Sequence, residues 1–133
     1  MGDKTRIETI GSRAVVLMDS IAYADDDEAG QIVVAGSHGG RSSARFALEY
    51  PLAICFLNDA GVGKDDAGIA SLEMFDEIDR AGATYDSNTA RIGDAIDAWE
   101  NGVISHVNRT AAGMGFAAGE RVADAIRRVY GRA

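Results

Sequence analysis

The two histidines of the chain are the side chains best suited to acid–base chemistry, and each follows a serine near the end of an apolar run. An imidazole gains or loses a proton near neutral pH, which suits a general acid or base. If the two runs are neighbouring strands, His38 and His106 face one cleft. We therefore predict both as catalytic residues, and Asn108 as a substrate-binding residue. A purely structural role in the loop fits His38 equally well.

The glycine-rich block around His38 predicts a site for negative charge. Gly39 and Gly40 let the backbone approach a ligand closely, and the helix expected after them points free N–H groups at the loop. We predict that their amides stabilise an oxyanion. Ser37 is a candidate nucleophile, although the glycine spacing around it differs from that of a Gly-x-Ser-x-Gly nucleophile elbow.

A second polar loop follows the apolar run at 52–57 and supplies carboxylates, an amide and a lysine. A carboxylate at a strand tip can orient a histidine, bind a hydroxyl or amine, or hold a metal, so Asp59 is predicted to be catalytic. Lys64 is suited to an anionic substrate group. The predicted substrate-binding residues of this loop are Asn58, Gly61, Gly63 and Lys64.

This second loop resembles two nucleotide-binding motifs and satisfies neither. A Walker A loop needs Gly at position 58 and Ser or Thr at position 65, where the chain has Asn58 and Asp65. A dinucleotide fingerprint needs Gly at position 66, which is Asp66. ATP and NAD are therefore not expected, and no cofactor is predicted. The two aspartates are expected in the first turn of a helix.

The histidines and Asp59 would supply three ligands to a metal ion. No His-x-x-x-His or Cys-x-x-Cys spacing supports such a centre. We therefore predict no metal.

A third polar cluster, at 86–94, contains two further candidates for substrate binding, Ser87 and Arg91. One residue among 87–89 should cap a helix, which is the leading role for that group. An arginine in a first turn opposes the helix dipole, so Arg91 should pair either with Asp94 or with an anionic ligand.

The elements that position these loops are apolar runs alternating with helical patterns. Four runs, at 32–35, 52–57, 83–85 and 103–105, read as strands, and two more strands are expected at 5–10 and 13–21. Helices are predicted over 42–50, 65–81, 90–101 and 111–130, with Ser42 or Ser43 capping the first and Gly82 ending the second. The alternation predicts a three-layer α/β/α sandwich with a mostly parallel sheet, an N-terminal β extension and one domain over 1–133. The loops after parallel strands leave one edge of the sheet, where ligands bind.

Composition narrows the class of partner. The chain has 133 residues, a formal net charge of −8 and a pI near 4.6, so a nucleic-acid backbone is not an expected partner. The one cysteine, Cys55, lies in an apolar run and is expected to be buried and inert. With no signal-peptide pattern and no apolar run near the ~20 residues that span a bilayer, a cytoplasmic protein without membrane contact is expected. The acidic stretch at 25–30 is expected to be a solvated turn.

Three functions remain open from the sequence. The first is a small-molecule enzyme of the hydrolase, lyase or isomerase type that acts on a polar, anionic metabolite. The second is a non-catalytic metabolite-binding or regulatory domain that uses the same loops. The third is a structural subunit of a larger assembly, since the Gly- and Ala-rich stretch at 111–119 would allow close packing in a homo-oligomer.

Overall fold

The computed structural model of the chain describes residues 4–131 and shows a mixed α/β fold in that range. The strands are β1 (Lys4–Ile10), β2 (Arg13–Met18), β3 (Ile32–His38), β4 (Ile54–Asn58), β5 (Ala81–Tyr85) and β6 (Ile104–Val107). The α-helices are α1 (Arg41–Leu48), α2 (Ala70–Asp76), α3 (Ala95–Asn101), α4 (Arg109–Met114) and α5 (Val122–Tyr130). Short 3-10 helices cover Ile21–Tyr23, Asp26–Glu28 and Lys64–Ile69.

The six strands form one sheet in the order β1-β2-β3-β4-β5-β6. Strands β2 to β5 are parallel to one another, whereas β1 pairs antiparallel with β2 and β6 antiparallel with β5. The predicted α/β class and mostly parallel sheet are confirmed. The strands expected at 5–10 and 13–21 are present as the β1–β2 hairpin.

The fourth apolar run becomes β6, which does not belong to the parallel part of the sheet. The amide of Asp86, just after β5, donates to the carbonyl of Val103, just before β6 (2.8 Å). The segment between them therefore returns to the sheet edge that it left, and β6 must run back antiparallel to β5. This reversal moves the end of β6 away from the other strand ends.

Alternating residues of the central strands belong to two apolar clusters, because successive side chains of a strand point to opposite faces of the sheet. In β3, Ile32 and Val34 belong to one cluster, whereas Val33 and Ala35 belong to the other. Residues of α3, α4 and α5 pack into the first cluster, and residues of α1 and α2 into the second. Helices thus contribute to both cores of the sheet.

The second helix is shorter than the predicted 65–81. Regular α-helix covers only 70–76, and Asp65 and Asp66 have positive φ values of 56° and 57° instead of helical ones. Gly82 lies inside β5 and does not end the helix. A side chain at position 82 would overlap the ring of Phe75, so glycine is needed there for α2 to pack on the sheet.

The third helix also begins later than predicted. It starts after Asp94, whose side chain caps it, so the expected cap among residues 87–89 is wrong. Ile92 and Ile96 are more than half exposed, whereas Ala95 and Ala98 face the core. The small alanines allow the helix to approach the sheet closely, which the apolar spacing did not indicate.

Two further expectations need correction. The last helix is split, because the chain turns at Gly115 with φ 109°, and α5 starts only at Val122.

The acidic turn is not fully solvated, since Glu28 is buried and pairs with Lys4 at 3.0 Å. Pairing with a lysine offsets the cost of burying that carboxylate.

Candidate functional site

The candidate site lies where the parallel strands β3 and β4 end. Two clefts open there, one of 830 Å³ and one of 380 Å³, and His38 lines both. The larger cleft lies over the loop after β4, and the smaller lies between α1 and the turn that follows β2. The larger cleft includes Arg41, Lys64 and Glu73 among its lining residues. The smaller includes Ser37, Ser42 and Phe46.

His38 is exposed, and one of its ring nitrogens is held by the backbone. Nδ1 accepts a hydrogen bond from the amide of Gly40 at 3.0 Å. A neutral imidazole that accepts at Nδ1 carries its proton on Nε2, which lies 3.5 Å from the hydroxyl of Ser42. The backbone thus orients His38 to donate a hydrogen bond from Nε2.

The amides of Gly39 and Gly40 do not form the predicted oxyanion site. The amide of Gly39 donates to the carbonyl of Asn58 at 2.7 Å, and that of Gly40 donates to His38. Both amides are therefore already used within the protein. A side chain at Gly39 would overlap the carbonyl of Gly68, so glycine is required there for close packing of the two loops.

Helix α1 begins one residue earlier than expected. Its N-cap is Gly40, which provides no side-chain cap, so the predicted caps Ser42 and Ser43 lie instead within the first turn. The hydroxyl of Ser43 lies 3.5 Å from Nδ1 of His38. The first turn of α1 therefore presents two hydroxyls beside the imidazole, and its first residue, Arg41, lines the larger cleft together with His38.

Ser37 lies on the wall of the smaller cleft, and its hydroxyl already has one partner. Its Oγ accepts a hydrogen bond from the amide of Ile21 at 2.9 Å. No histidine or carboxylate in residues 4–131 hydrogen-bonds Ser37. Among the described residues, Ser37 therefore makes no hydrogen bond to a base that would activate it as a nucleophile.

Asn58 and Asp59 are buried and hold the loop after β4. Asn58 accepts from the amide of Ala60 and donates to the carbonyl of Ala90 at 3.1 Å. Oδ1 of Asp59 accepts from the amides of Gly61 at 2.8 Å and Ser87 at 3.0 Å. Asp59 is only 4% exposed, and across residues 4–131 it makes no hydrogen bond to a histidine or lysine. Its contacts connect two loops and do not orient His38.

The loop held by Asp59 has an unusual backbone and forms a wall of the larger cleft. Six of its residues have φ between 53° and 76°: Ala60, Gly61, Val62, Gly63, Asp65 and Asp66. For a β-branched residue such as Val62 this conformation costs about 1–2 kcal/mol. Lys64 and Gly63 line the cleft, whereas Gly61 does not.

Ser87 and Arg91 lie beside this region without lining either cleft. Ser87 contributes its amide to Asp59. The side chain of Arg91 is exposed and forms no ion pair with Asp94, contrary to one of the two expectations; its amide donates to Asp97 at 2.8 Å. Arg91 therefore does not pair with Asp94. It also does not lie in the first turn of a helix, because α3 begins only at Ala95.

His106 and Asn108 do not share the cleft with His38. His106 pairs across the sheet with Thr84 on β5, and its Nδ1 lies 3.2 Å from the hydroxyl of Ser105. Asn108 is buried, caps α4 and accepts from the amide of Gly82 at 3.1 Å. A shared cleft required the two runs to be neighbouring strands, and this condition is not met, because β4 and β5 lie between β3 and β6. The antiparallel direction of β6 also places Asn108 beside Gly82, at the other end of β5 from the site.

Sequence reasoning missed several lining residues. Arg41, Phe46 and Glu73 lie on exposed positions of α1 and α2, where no motif distinguishes them from ordinary surface residues. Ile92 lies within the predicted helix 90–101, but in the structure it precedes α3 and lines the smaller cleft. The one signal that could have found it is the run of capping residues before it, which favours a turn over a helix start.

The chemistry available for covalent or metal catalysis is restricted. Burial raises the pKa of the Cys55 thiol to about 12, so that thiol stays protonated and is a poor nucleophile. Within residues 4–131 no three His, Cys, Asp or Glu side chains are grouped to hold a metal ion. In the same range no helix combines the length and apolar character required to cross a membrane.

Comparison of the chain with protein-family models, curated proteins and solved structures gives no match.

Proposed function

We propose that the chain is a small-molecule enzyme of the hydrolase, lyase or isomerase type that acts on a polar metabolite with an anionic group. The observation that supports this most directly is the placement of His38, which borders both clefts while the Gly40 amide fixes its Nδ1. An imidazole fixed at one nitrogen presents the other in a constant direction. That arrangement is suited to reaction at a bound substrate.

The role that we assign to His38 is donation from Nε2 to the substrate oxygen on which negative charge develops. A neutral imidazole can stabilise such an oxygen through a hydrogen bond without being ionised. Arg41 and Lys64 line the same cleft, and neither forms an ion pair with another described residue, so both can hold the anionic group. The carboxylates of Asp65, Asp66 and Glu73, which also line this cleft, are the candidate proton acceptors.

The fold supports this role if the sheet is the middle layer of a three-layer α/β/α sandwich, as we infer from the helices that pack into both of its cores. Strand β1 then extends the parallel part of the sheet at its N-terminal side. In such folds the carboxyl ends of the parallel strands are the usual place for a ligand. His38 is the last residue of β3.

A non-catalytic metabolite-binding domain is the second candidate. It is favoured by one observation: among residues 4–131 no carboxylate hydrogen-bonds His38, so the acid–base pair of many hydrolases is missing. In that case His38 only donates a hydrogen bond to the ligand.

The two candidates can be separated by following a mixture of small carboxylates and phosphates by mass spectrometry during incubation with the protein. We expect one compound to be consumed and turnover to fall at least about 100-fold in His38→Ala, the usual effect of losing a hydrogen-bond donor to a developing negative charge. Glu77→Gln is the control, since Glu77 is exposed and lines neither cleft. Turnover that survives His38→Ala, or that is lost in His106→Gln instead, would contradict the proposal.

A further inference from the structure

The smaller cleft has an apolar wall that the proposed chemistry at His38 does not explain. Phe46 and Ile92 line it, although they are 46% and 55% exposed. Exposed large apolar side chains around a concave surface are typical of ligand contact. The same cleft carries hydroxyls of Ser37 and Ser42 next to His38.

The larger cleft has the opposite character. Five charged side chains line it: Arg41, Lys64, Asp65, Asp66 and Glu73. None of the five forms an ion pair or a side-chain hydrogen bond with any residue in the range 4–131. Arg41 and Lys64 are therefore available to an anionic group, and the three carboxylates remain the candidate proton acceptors.

His38 joins the two clefts, because it is the residue that lines both of them. We propose that the substrate has two parts: an apolar group, such as a phenyl ring, that occupies the smaller cleft, and an anionic head group that occupies the larger one. The bond that reacts then lies beside Nε2 of His38. This inference rests on the proposed function and specifies its substrate class.

The dimensions of the smaller cleft suit this occupant. An apolar cavity of about 150 Å³ can already hold benzene. A cleft of 380 Å³ therefore accepts a phenyl ring together with the carbons that connect it to a head group. Covering Phe46 and Ile92 with the ring removes apolar surface from water, which favours binding.

Two probes that differ only in the ring test the proposal: propionate and 3-phenylpropionate, titrated into the protein and followed by NMR amide shifts. We expect 3-phenylpropionate to bind about tenfold more tightly or better, with shifts at Ala22 and Ile92 that propionate does not cause. Phe46→Ala should remove most of that advantage and leave the affinity for propionate unchanged. Arg41→Gln should weaken both probes equally.

Ile78→Ala is the matched control, since Ile78 is 52% exposed and lines neither cleft. Ile92→Ala is a second variant of the apolar wall if Phe46→Ala does not fold. Equal affinities of the two probes for the wild-type protein would overturn the proposal. So would equal effects of Phe46→Ala and Ile78→Ala on the binding of 3-phenylpropionate.

The result is independent of catalysis because only binding is measured. If the probes behave as expected but turnover survives His38→Ala, the enzymatic proposal fails and the two-part ligand remains. If turnover depends on His38 but the probes bind equally, the two-part substrate fails and the enzyme remains.

Discussion

Asn108 is a buried side chain whose hydrogen-bonding groups are all used within the protein. Its Oδ1 accepts from the amides of Gly82 and Ala111, and its Nδ2 donates to the carbonyls of Leu72 and Arg80. These bonds connect β5, α2 and α4. A side chain so occupied cannot also bind a substrate, and its physical role is to satisfy buried backbone groups.

Replacement of Asn108 should therefore affect stability. We expect Asn108→Ala to lower the free energy of unfolding by about 2–4 kcal/mol, because several buried backbone groups lose their partners together. Asn101→Ala is the control, since Asn101 is exposed and bonds only Asp97; its effect should stay within about 0.5 kcal/mol. Urea unfolding at neutral pH measures both. Equal midpoints for the two variants would argue against the structural role of Asn108.

At the level of elements, α4 depends on a carboxylate from α2. The side chain of Asp76 accepts from the amides of Arg109 and Thr110 and from the Thr110 hydroxyl, at 2.8–3.0 Å. Burial alone would raise the pKa of Asp76, but these hydrogen bonds outweigh burial and lower it below 3.8. A carboxylate at this position also suits the positive end of the α4 dipole.

The stability supplied by Asp76 should depend on pH. Because its pKa is lowered in the folded state, the contribution is present above pH 3.8 and is lost as the pH falls through the folded value. We expect Asp76→Asn to cost about 1–2 kcal/mol at pH 7 and less at pH 3. Urea midpoints of both proteins at pH 7, 4 and 3 test this. For the exposed Asp26→Asn, the difference in stability between wild type and variant should not become smaller at low pH. If the difference for Asp76→Asn stays constant from pH 7 to pH 3, the assignment is refuted.

For the whole molecule, the sequential strand order places the most buried strands in the middle of the sheet. All five residues of β4 are buried, and so are the first five residues of β3, whereas residues 63–67 of the loop beside the larger cleft are exposed. The free energy of local opening should therefore be much larger for β3 and β4 than for residues 63–67 in the wall of the larger cleft. A rigid sheet with a mobile loop suits a site that must admit a ligand.

Hydrogen exchange measured by mass spectrometry tests this distribution. We expect amides of β3 and β4 to exchange only through global unfolding and those of residues 63–67 to exchange at least about 100-fold faster. Low concentrations of urea should speed up the exchange of the strand amides. The dependence of this exchange on urea should match the slope m of global unfolding. Comparable protection of the loop and the central strands would contradict this view of the molecule.

The sequence alone determined the central strands of this protein and the positions of most of its loops. Continuous apolar runs predicted the central strands β3, β4 and β5, Pro51 marked the region where α1 stops, and glycine with polar residues marked the loops. These features depend on residues close together in the chain, so periodicity and turn chemistry are enough to find them. The loop around His38 was located in the same way.

Only the tertiary structure decided which of these loops meet. The direction of β6 depends on contacts such as that between Asp86 and Val103, and the pairing of Asp59 with Ser87 joins residues 28 positions apart. Ala95 and Ala98 face the core because the sheet needs a close helix, although Ile92 and Ile96 are more apolar. Long-range hydrogen bonds and packing leave no local pattern in the sequence. They are the reason that His38 lies at the clefts and His106 does not.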